Sequence, residues 1–536
     1  MENKGKYSYI VVGAGAAGCV LANRLSEDPN NSVLLLEAGG KDWNPLIHVP
    51  IGFTKLTTPD VNWGFSTVPQ PEMNNREMWY PQGRTLGGST SINAMIYIRG
   101  HRDDYETWKR MGNNGWGYED VLTYFRKSEN NERLHNKYHG IGGDMNVTQQ
   151  TQSNLLTRAF VRSAQEVGIP FNADVNGAEQ DGVTFYDVTQ RDVHRESSAT
   201  AFLNPAKSRK NLTILTRSQG SRIIIQNGRA IGLEFIHGKN KKQCVAYVDK
   251  EVILSSGAVN SPKLLMLSGI GPADELRVAG VEVVHDLAGV GKNFQDHMDV
   301  YITAETTPVS YNMEDRPDRA IRHAIQYMLY KTGPVTACVA EAGAFIRSSE
   351  EVESPDIQIH CLPAYVIDHG RKRVKGHGIT INTCNLRPRS IGSVKLRSTD
   401  PTVHPLIDPN FCGDKDGYDW KISMEGFKWG RKILAAESFK PFIKSEYMPG
   451  VDIQDESQVR KYIKEWSKTD YHPVGSCKMG SDDMAVVDTQ LRVHGIKGLR
   501  VVDASIMPTL ISGNTQAPSI MIGEKGAAII LAEKVI

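Results

Sequence analysis

An excess of charge of either sign is what this 536-residue chain most plainly lacks: 62 Lys and Arg against 61 Asp and Glu leave +1. Without a basic surplus there is no electrostatic case for a nucleic-acid partner. The seven cysteines (Cys19, Cys244, Cys338, Cys361, Cys384, Cys412, Cys477) are scattered and form no CxxC pair. That pattern argues against a zinc site or a disulfide frame and for a reducing, cytoplasmic compartment. No metal is expected. Long apolar runs are missing too: none approaches the ~20 residues of a spanning helix, and Ala527 to Leu531 is far too short. No transmembrane segment is expected, while peripheral membrane attachment stays open. Internal repeats and low-complexity stretches are absent. The one local basic cluster, Arg371-Lys372-Arg373 with Lys375, lies between glycines. It reads as a solvated mobile loop, with docking to an anionic membrane or an electron acceptor as the lesser reading.

What is present begins near the N-terminus. Ile10-Val11-Val12 leads into Gly13-Ala14-Gly15-Ala16-Ala17-Gly18, and a second apolar run, Val33 to Leu36, ends on Glu37-Ala38. Strand, glycines, helix, strand and acidic residue in this order form a dinucleotide fingerprint in its full context. Gly13 allows the tight turn, Gly15 lets the backbone approach a pyrophosphate, and Gly18 lets the helix pack on the strand, with Ala16 and Ala17 opening the helix whose positive end faces the phosphates. Glu37, 19 residues after Gly18, suits both ribose hydroxyls, so FAD and NAD fit and NADP fits poorly. Lys4 and Lys6 before Ile10 to Ala22 mimic a signal peptide, but the glycine phasing makes this segment part of the fold.

Length and a 40% hydrophobic composition allow three or four domain equivalents. Gly83 to Asn93 is a glycine- and hydroxyl-rich loop able to wrap a phosphate or a ring. Ile223-Ile224-Ile225 and Ala230 to Leu233 flank an Asn227-Gly228 turn and read as a hairpin. Glu251 to Leu254 is a short buried strand ending in Ser255-Ser256-Gly257-Ala258, small residues that a nucleotide edge can approach. From about Val300 the glycine pattern stops. Alternation at Asp356 to His360 and Gly392 to Leu396, then a helical stretch from Val459 to Trp466, point to an antiparallel sheet with helices, before Leu499 to Ala504 returns to the nucleotide part.

At this point the chain resembles the glucose-methanol-choline (GMC) family of FAD-dependent oxidoreductases, particularly its alcohol/choline dehydrogenase-like members. Gly83 to Gly100 matches the family's first signature and Gly257 to Gly271 its second. The similarity extends through Gly289 to His297, Tyr471-His472-Pro473-Val474-Gly475 and Asp503 to Lys525. The resemblance implies an α/β fold (α+β overall): a Rossmann-type FAD-binding domain with an antiparallel-sheet substrate domain. Its expected segments are 1–155, 196–300 and 466–536 for FAD, and 156–195 and 301–465 for substrate. Expected cofactor contacts beyond the fingerprint are Arg84, Gly87, Gly88, Ser89, Asn93, Ala94, Ile223, Asp503, Ala504 and Pro518. Ile92 stands where some relatives carry a histidine bonded to the flavin, so FAD is expected to be non-covalent.

Oxidising an alcohol requires a partner for the hydroxyl proton while the α-hydrogen leaves as hydride. Histidine suits this at neutral pH, and His472 occupies the family's catalytic position. His297, its rival, lies in a segment that looks architectural. Family members carry Asn or His 43 or 44 residues further on, in a stretch like Asn-Thr-Asn-Ala-Pro; here it is Asn514-Thr515-Gln516-Ala517-Pro518. Gln516 keeps the amide but adds a methylene, and Asn514 lies on the same face of an extended segment, so either can be the second catalytic residue. Pro518 reads as the first residue of a helix whose positive end faces the flavin. The expected activity is FAD-dependent conversion of a small-molecule alcohol to an aldehyde or ketone, with oxygen, a quinone or another carrier as acceptor. A non-redox lyase or light-driven decarboxylase on the same scaffold is the alternative, and an NAD-dependent dehydrogenase the third.

Overall fold

The computed structural model describes residues 1–150, 152–314 and 316–533; positions 151, 315 and 534–536 of the expected segments lie outside the described residues. Seven strands make a first sheet: β1 (Glu2–Val12), β2 (Val33–Leu36), β3 (Leu212–Leu215), β4 (Ser218–Gln226), β5 (Arg229–His237), β6 (Lys242–Leu254) and β7 (Leu499–Val501). Their order in space is β3-β2-β1-β6-β5-β4, with β7 on the free half of β6. The unbroken apolar runs are the parallel strands: Ile10 of β1 sits between Leu34 of β2 and Val252 of β6. Strands buried on both faces need apolar side chains at every position, not every second one. The Asn-Gly hairpin forms as expected, with Gln226 opposite Arg229 and both turn residues in the left-handed region, Asn227 at φ 50° and Gly228 at φ 70°.

Helices α1 (Ala16–Leu25) and α2 (Gln516–Ala532) pack together on this sheet and share its core, with Val20, Leu21, Ile520 and Met521 fully or almost fully buried. α2 starts two residues earlier than the proline rule suggests. Pro518 is its third residue, which still costs no hydrogen bond because the N–H groups of a first helical turn have no partner within the helix.

A second sheet is antiparallel throughout, in the order 443–448, 298–306, 378–385, 357–362, 342–346, 182–185. One face packs Ile357, Ile359 and Ile381 against helices Leu155–Glu166 and Tyr418–Leu434 through Phe160, Ile422 and Ile433. The alternation at Asp356 to His360 pointed to an antiparallel strand, and Ile357–Leu362 is one, buried at every position. The polar alternates Gln358 and His360 do face away from the core, but toward the interior between the two sheets.

Candidate active site

A cavity of about 1000 Å³ runs between the two sheets. At one end β1 stops at Val12 and turns through Gly13, whose φ of +105° and close approach to the Ser255 carbonyl leave no room for a Cβ. Gly18 likewise sits against the Gly13 carbonyl, holding α1 on the turn and outside the cavity wall. Gly15 differs: a Cβ there would meet nothing within 4 Å. With Ala16 and Ala17 it faces the cavity, and no side chain caps the helix at Gly15, so the first-turn N–H groups of α1 have no side-chain acceptor.

Glu37 follows β2 on the same wall, beside Ala38. Its carboxylate accepts the N–H groups of Ala14 (3.0 Å) and Gly39 (2.7 Å), and burial pushes it up to about 7. The loop after Gly83 folds over the turn. Gly87 donates its N–H to the Ala14 carbonyl at 2.8 Å, and Gly88 lies so close that its Cβ would stand 2.8 Å from Gly15 Cα. Ser89, Ile92, Asn93 and Ala94 line the cavity beyond it.

Arg84 is not on the wall; its guanidinium stacks over Trp63, 4.8 Å from the ring centre. Ile223 is buried inside β4, its N–H given to the Ser268 hydroxyl, and it is the start of β4, Ser218 to Gly220, that reaches the cavity. Pro518 is buried behind the wall. Asp503 and Ala504 do reach it, Asp503 accepting the Gly257 N–H at 2.9 Å and the Ser261 hydroxyl at 2.5 Å.

At the other end lies His472, with its ring against two neighbours. His297 Nε2 is 3.1 Å from the Leu386 carbonyl, which only accepts, so the His297 proton is on Nε2 and its Nδ1 is a lone pair. His472 Nδ1, 3.0 Å from that lone pair, must then carry the proton. His472 Nε2 is left as an acceptor, and Asn514 Nδ2 donates to it at 3.0 Å. One backbone carbonyl thereby sets the tautomers of two histidines. Burial holds His472 down to about 4 and His297 to about 3, so both are neutral at pH 7.

The Asp470 carboxylate faces this pair, its Oδ2 3.5 Å from His472 Nδ1 and 3.5 Å from His360 Nε2. Burial alone would push Asp470 up, but the facing His472 and His360 rings hold it well below the usual carboxylate range. Tyr471 between them has φ +69°, a left-handed residue that turns the chain so that Asp470 and His472 share a side. Asp296 completes the clamp, accepting the His472 N–H at 2.8 Å and the Tyr80 and Thr469 hydroxyls.

The two amides part company. Asn514 bridges His472 and Gln358, whose Nε2 is 3.2 Å from its Oδ1. Gln516 donates to Thr189 Oγ1 at 3.1 Å and accepts from Asn93, which ties α2 to the loop over the glycine turn. Asp470, His360 and the direct His297 contact were not anticipated from sequence. Nothing local marks Tyr471 for a left-handed turn, and His360 arrives from a strand more than 100 positions away.

The chain matches the GMC oxidoreductase family profile in two parts, residues 7–299 and 388–523. It is 46% identical to an alcohol dehydrogenase [acceptor] of Pseudomonas putida, over 98% of this chain and 96% of that protein. The human mitochondrial choline dehydrogenase is 43% identical over 99% of this chain and 90% of its own length. Among solved structures, formate oxidase from Aspergillus oryzae RIB40, studied for FAD modification, superposes with a TM-score of 0.92 at 27% identity, covering 98% of each chain. Profiles that take in both the glycine turn and the His472 segment, with relatives matched along nearly the whole length, make this protein an oxidoreductase of the GMC family.

Proposed function

We propose that this enzyme oxidises an alcohol to an aldehyde or ketone with non-covalently bound FAD, His472 taking the hydroxyl proton. The observation that carries the reading is one cavity with an open glycine turn at one end and the unprotonated Nε2 of a buried histidine at the other. The alcohol and choline dehydrogenases among the relatives support the substrate class.

The residues fit FAD. The empty space over Gly15 and the uncapped first turn of α1 suit a pyrophosphate, and Glu37 retains a lone pair on each oxygen for ribose hydroxyls. Ile92, which faces the cavity, offers no nucleophile for a covalent bond. Bound there, FAD supplies the two-electron oxidising power, accepting the α-hydrogen of the alcohol as hydride.

The protein's part is to hold the alcohol and move its proton. The hydroxyl enters between His472 Nε2 and Asn514 Nδ2 and takes over both ends of their hydrogen bond. It gives its proton to Nε2 and accepts the amide N–H, which stabilises the oxygen as negative charge develops. Nε2 can receive that proton because Nδ1 already holds its own, fixed by His297. The resulting imidazolium faces Asp470, and the enclosing burial keeps competing water away.

The test is anaerobic bleaching of the purified yellow protein by a panel of alcohols in the dark, followed by acid denaturation. Reduction by at least one alcohol and release of intact FAD into the supernatant are expected. Bleaching only under illumination, or none with any alcohol, rejects alcohol oxidation; flavin retained on the precipitate rejects the non-covalent attachment.

A further inference from the structure

The mouth of the cavity carries a surface that neither the alcohol chemistry nor the core explains. Helix Pro317–Tyr330 packs His323 and Tyr327 inward, and Ala320 and His323 border the cavity. Its opposite face is apolar and open to solvent: Ile321 is 64% exposed, Met328 65% and Leu329 67%, with Ile325 between them. These positions recur at helical spacing, so they form one stripe, and Arg322 flanks it on one side, with Arg319, paired with Glu314, further round the helix. A helix that keeps its apolar stripe outward and arginines beside it has the build of an interfacial helix.

A second segment rims the same mouth. Arg371, Lys372 and Arg373 border the cavity, followed by exposed Lys375. Leu46 does so from another direction, and Trp43, three residues before it, is 77% exposed. The net charge of the whole chain is only +1, so this cluster is a local concentration.

We propose that this rim docks on a bilayer surface bearing anionic headgroups, the helix 317–330 lying in the interface with Ile321, Ile325, Met328 and Leu329 among the acyl chains and the 371–375 loop on the headgroups. A second copy of the chain is the poorer occupant. A two-fold contact through this face would bring each basic loop toward its like, whereas lipid phosphates complement both the arginines and the loop. Docked this way, the enzyme opens its cavity toward the lipid phase.

The experiment uses the FAD-loaded enzyme and sedimentation with vesicles of equimolar phosphatidylglycerol and phosphatidylcholine, against phosphatidylcholine alone. Binding is expected to the anionic vesicles and to weaken at high ionic strength. The double substitution Ile325→Glu and Met328→Glu is expected to lower the bound fraction ~10-fold or more. Arg322→Glu with Lys375→Glu, a pair on exposed positions, is expected to act in the same direction. Both variants should keep wild-type FAD content and dye-coupled oxidation of a water-soluble alcohol, since none of the four residues lines the cavity. Holoenzyme that stays in the supernatant with anionic vesicles, or binding untouched by both variants, overturns the proposal. So does a concentration-dependent dimer abolished by the Ile325 and Met328 changes, which would assign the stripe to a second copy.

Discussion

His472 keeps an unprotonated Nε2 because of a carbonyl on the far side of His297, and in the proposed mechanism this makes its chemistry sensitive to residues that never touch substrate. Replacing His472 by Ala should leave FAD bound and slow flavin reduction ~100-fold or more, the scale of a lost general base. Asp470 has a separable signature. Burial lowers the basicity of His472 and the carboxylate at 3.5 Å raises it. With a value near 4, Nε2 is free across the neutral range, and activity is lost only as pH falls toward 4. Asp470→Asn removes the group that favours the imidazolium, so the acid limb should move to lower pH while the rate at pH 7 drops ~10- to 100-fold. Stopped-flow reduction across pH reads both, and a limb displaced upward would sink the assignment. The two amides separate similarly: Asn514→Leu should cost ~10- to 1000-fold in flavin reduction, whereas Gln516→Leu should mainly change which alcohols fit. Normal reduction by Asn514→Leu with every alcohol would remove that amide from the oxygen site. His472 and Asn514 were legible as candidates from the motifs around them. Asp470 and His360 were not, because their partnership depends on a left-handed tyrosine and on a distant strand that sequence does not join.

Among the elements, the turn between β1 and α1 was the most legible, since each glycine has a local reason that spacing exposes. Those reasons differ, and substitution tells them apart. Gly15→Val adds a side chain into space that protein atoms do not use, so it should preserve far-UV circular dichroism and lower FAD affinity by ~10-fold or more. Gly18→Val forces a Cβ into the Gly13 carbonyl and should reduce soluble yield whether or not FAD is supplied. Equal loss of fold in both variants would contradict the distinction. The hairpin at Asn227-Gly228 and the helix near Val459 to Trp466, seen as Glu456–Trp466, were readable for the same reason: short-range periodicity and turn chemistry decide them. The strand Ile357–Leu362 was readable as antiparallel from its alternation, but the burial of both its faces was not. Alternation reports two chemically different faces, and here the polar one is buried too, His360 lining the cavity and Gln358 bonded to Tyr186 and Asn514.

On the scale of the molecule, the cavity lies where the two sheets meet, and an occupant touches both. FAD that binds only the folded state adds about 2.7 kcal/mol of stability at a concentration 100 times its Kd. Stripping the flavin should therefore lower the melting temperature by roughly 2–3 °C, with recovery on readdition; an unchanged midpoint would mean that FAD does not bind the folded state preferentially. The sheet that carries the glycine turn also joins residues from opposite ends of the chain. Val252 in β6 is flanked by Ile10 on one side and Leu499 on the other, and α1 rests on α2, whose first turn follows Asn514. This order has a consequence during synthesis. The ribosome delivers the glycine turn hundreds of residues before β7 and α2, so a growing chain holds the fingerprint through that stretch without the segments that cover it. Cofactor uptake is therefore expected only after β7 and α2 have been made and have docked on the turn. Until then Val20, Leu21 and the half of β6 that β7 covers lack the partners they have in the folded chain, and a chain cut before Leu499 is expected to bind FAD poorly although its fingerprint is intact, which the flavin absorbance of the purified fragment checks.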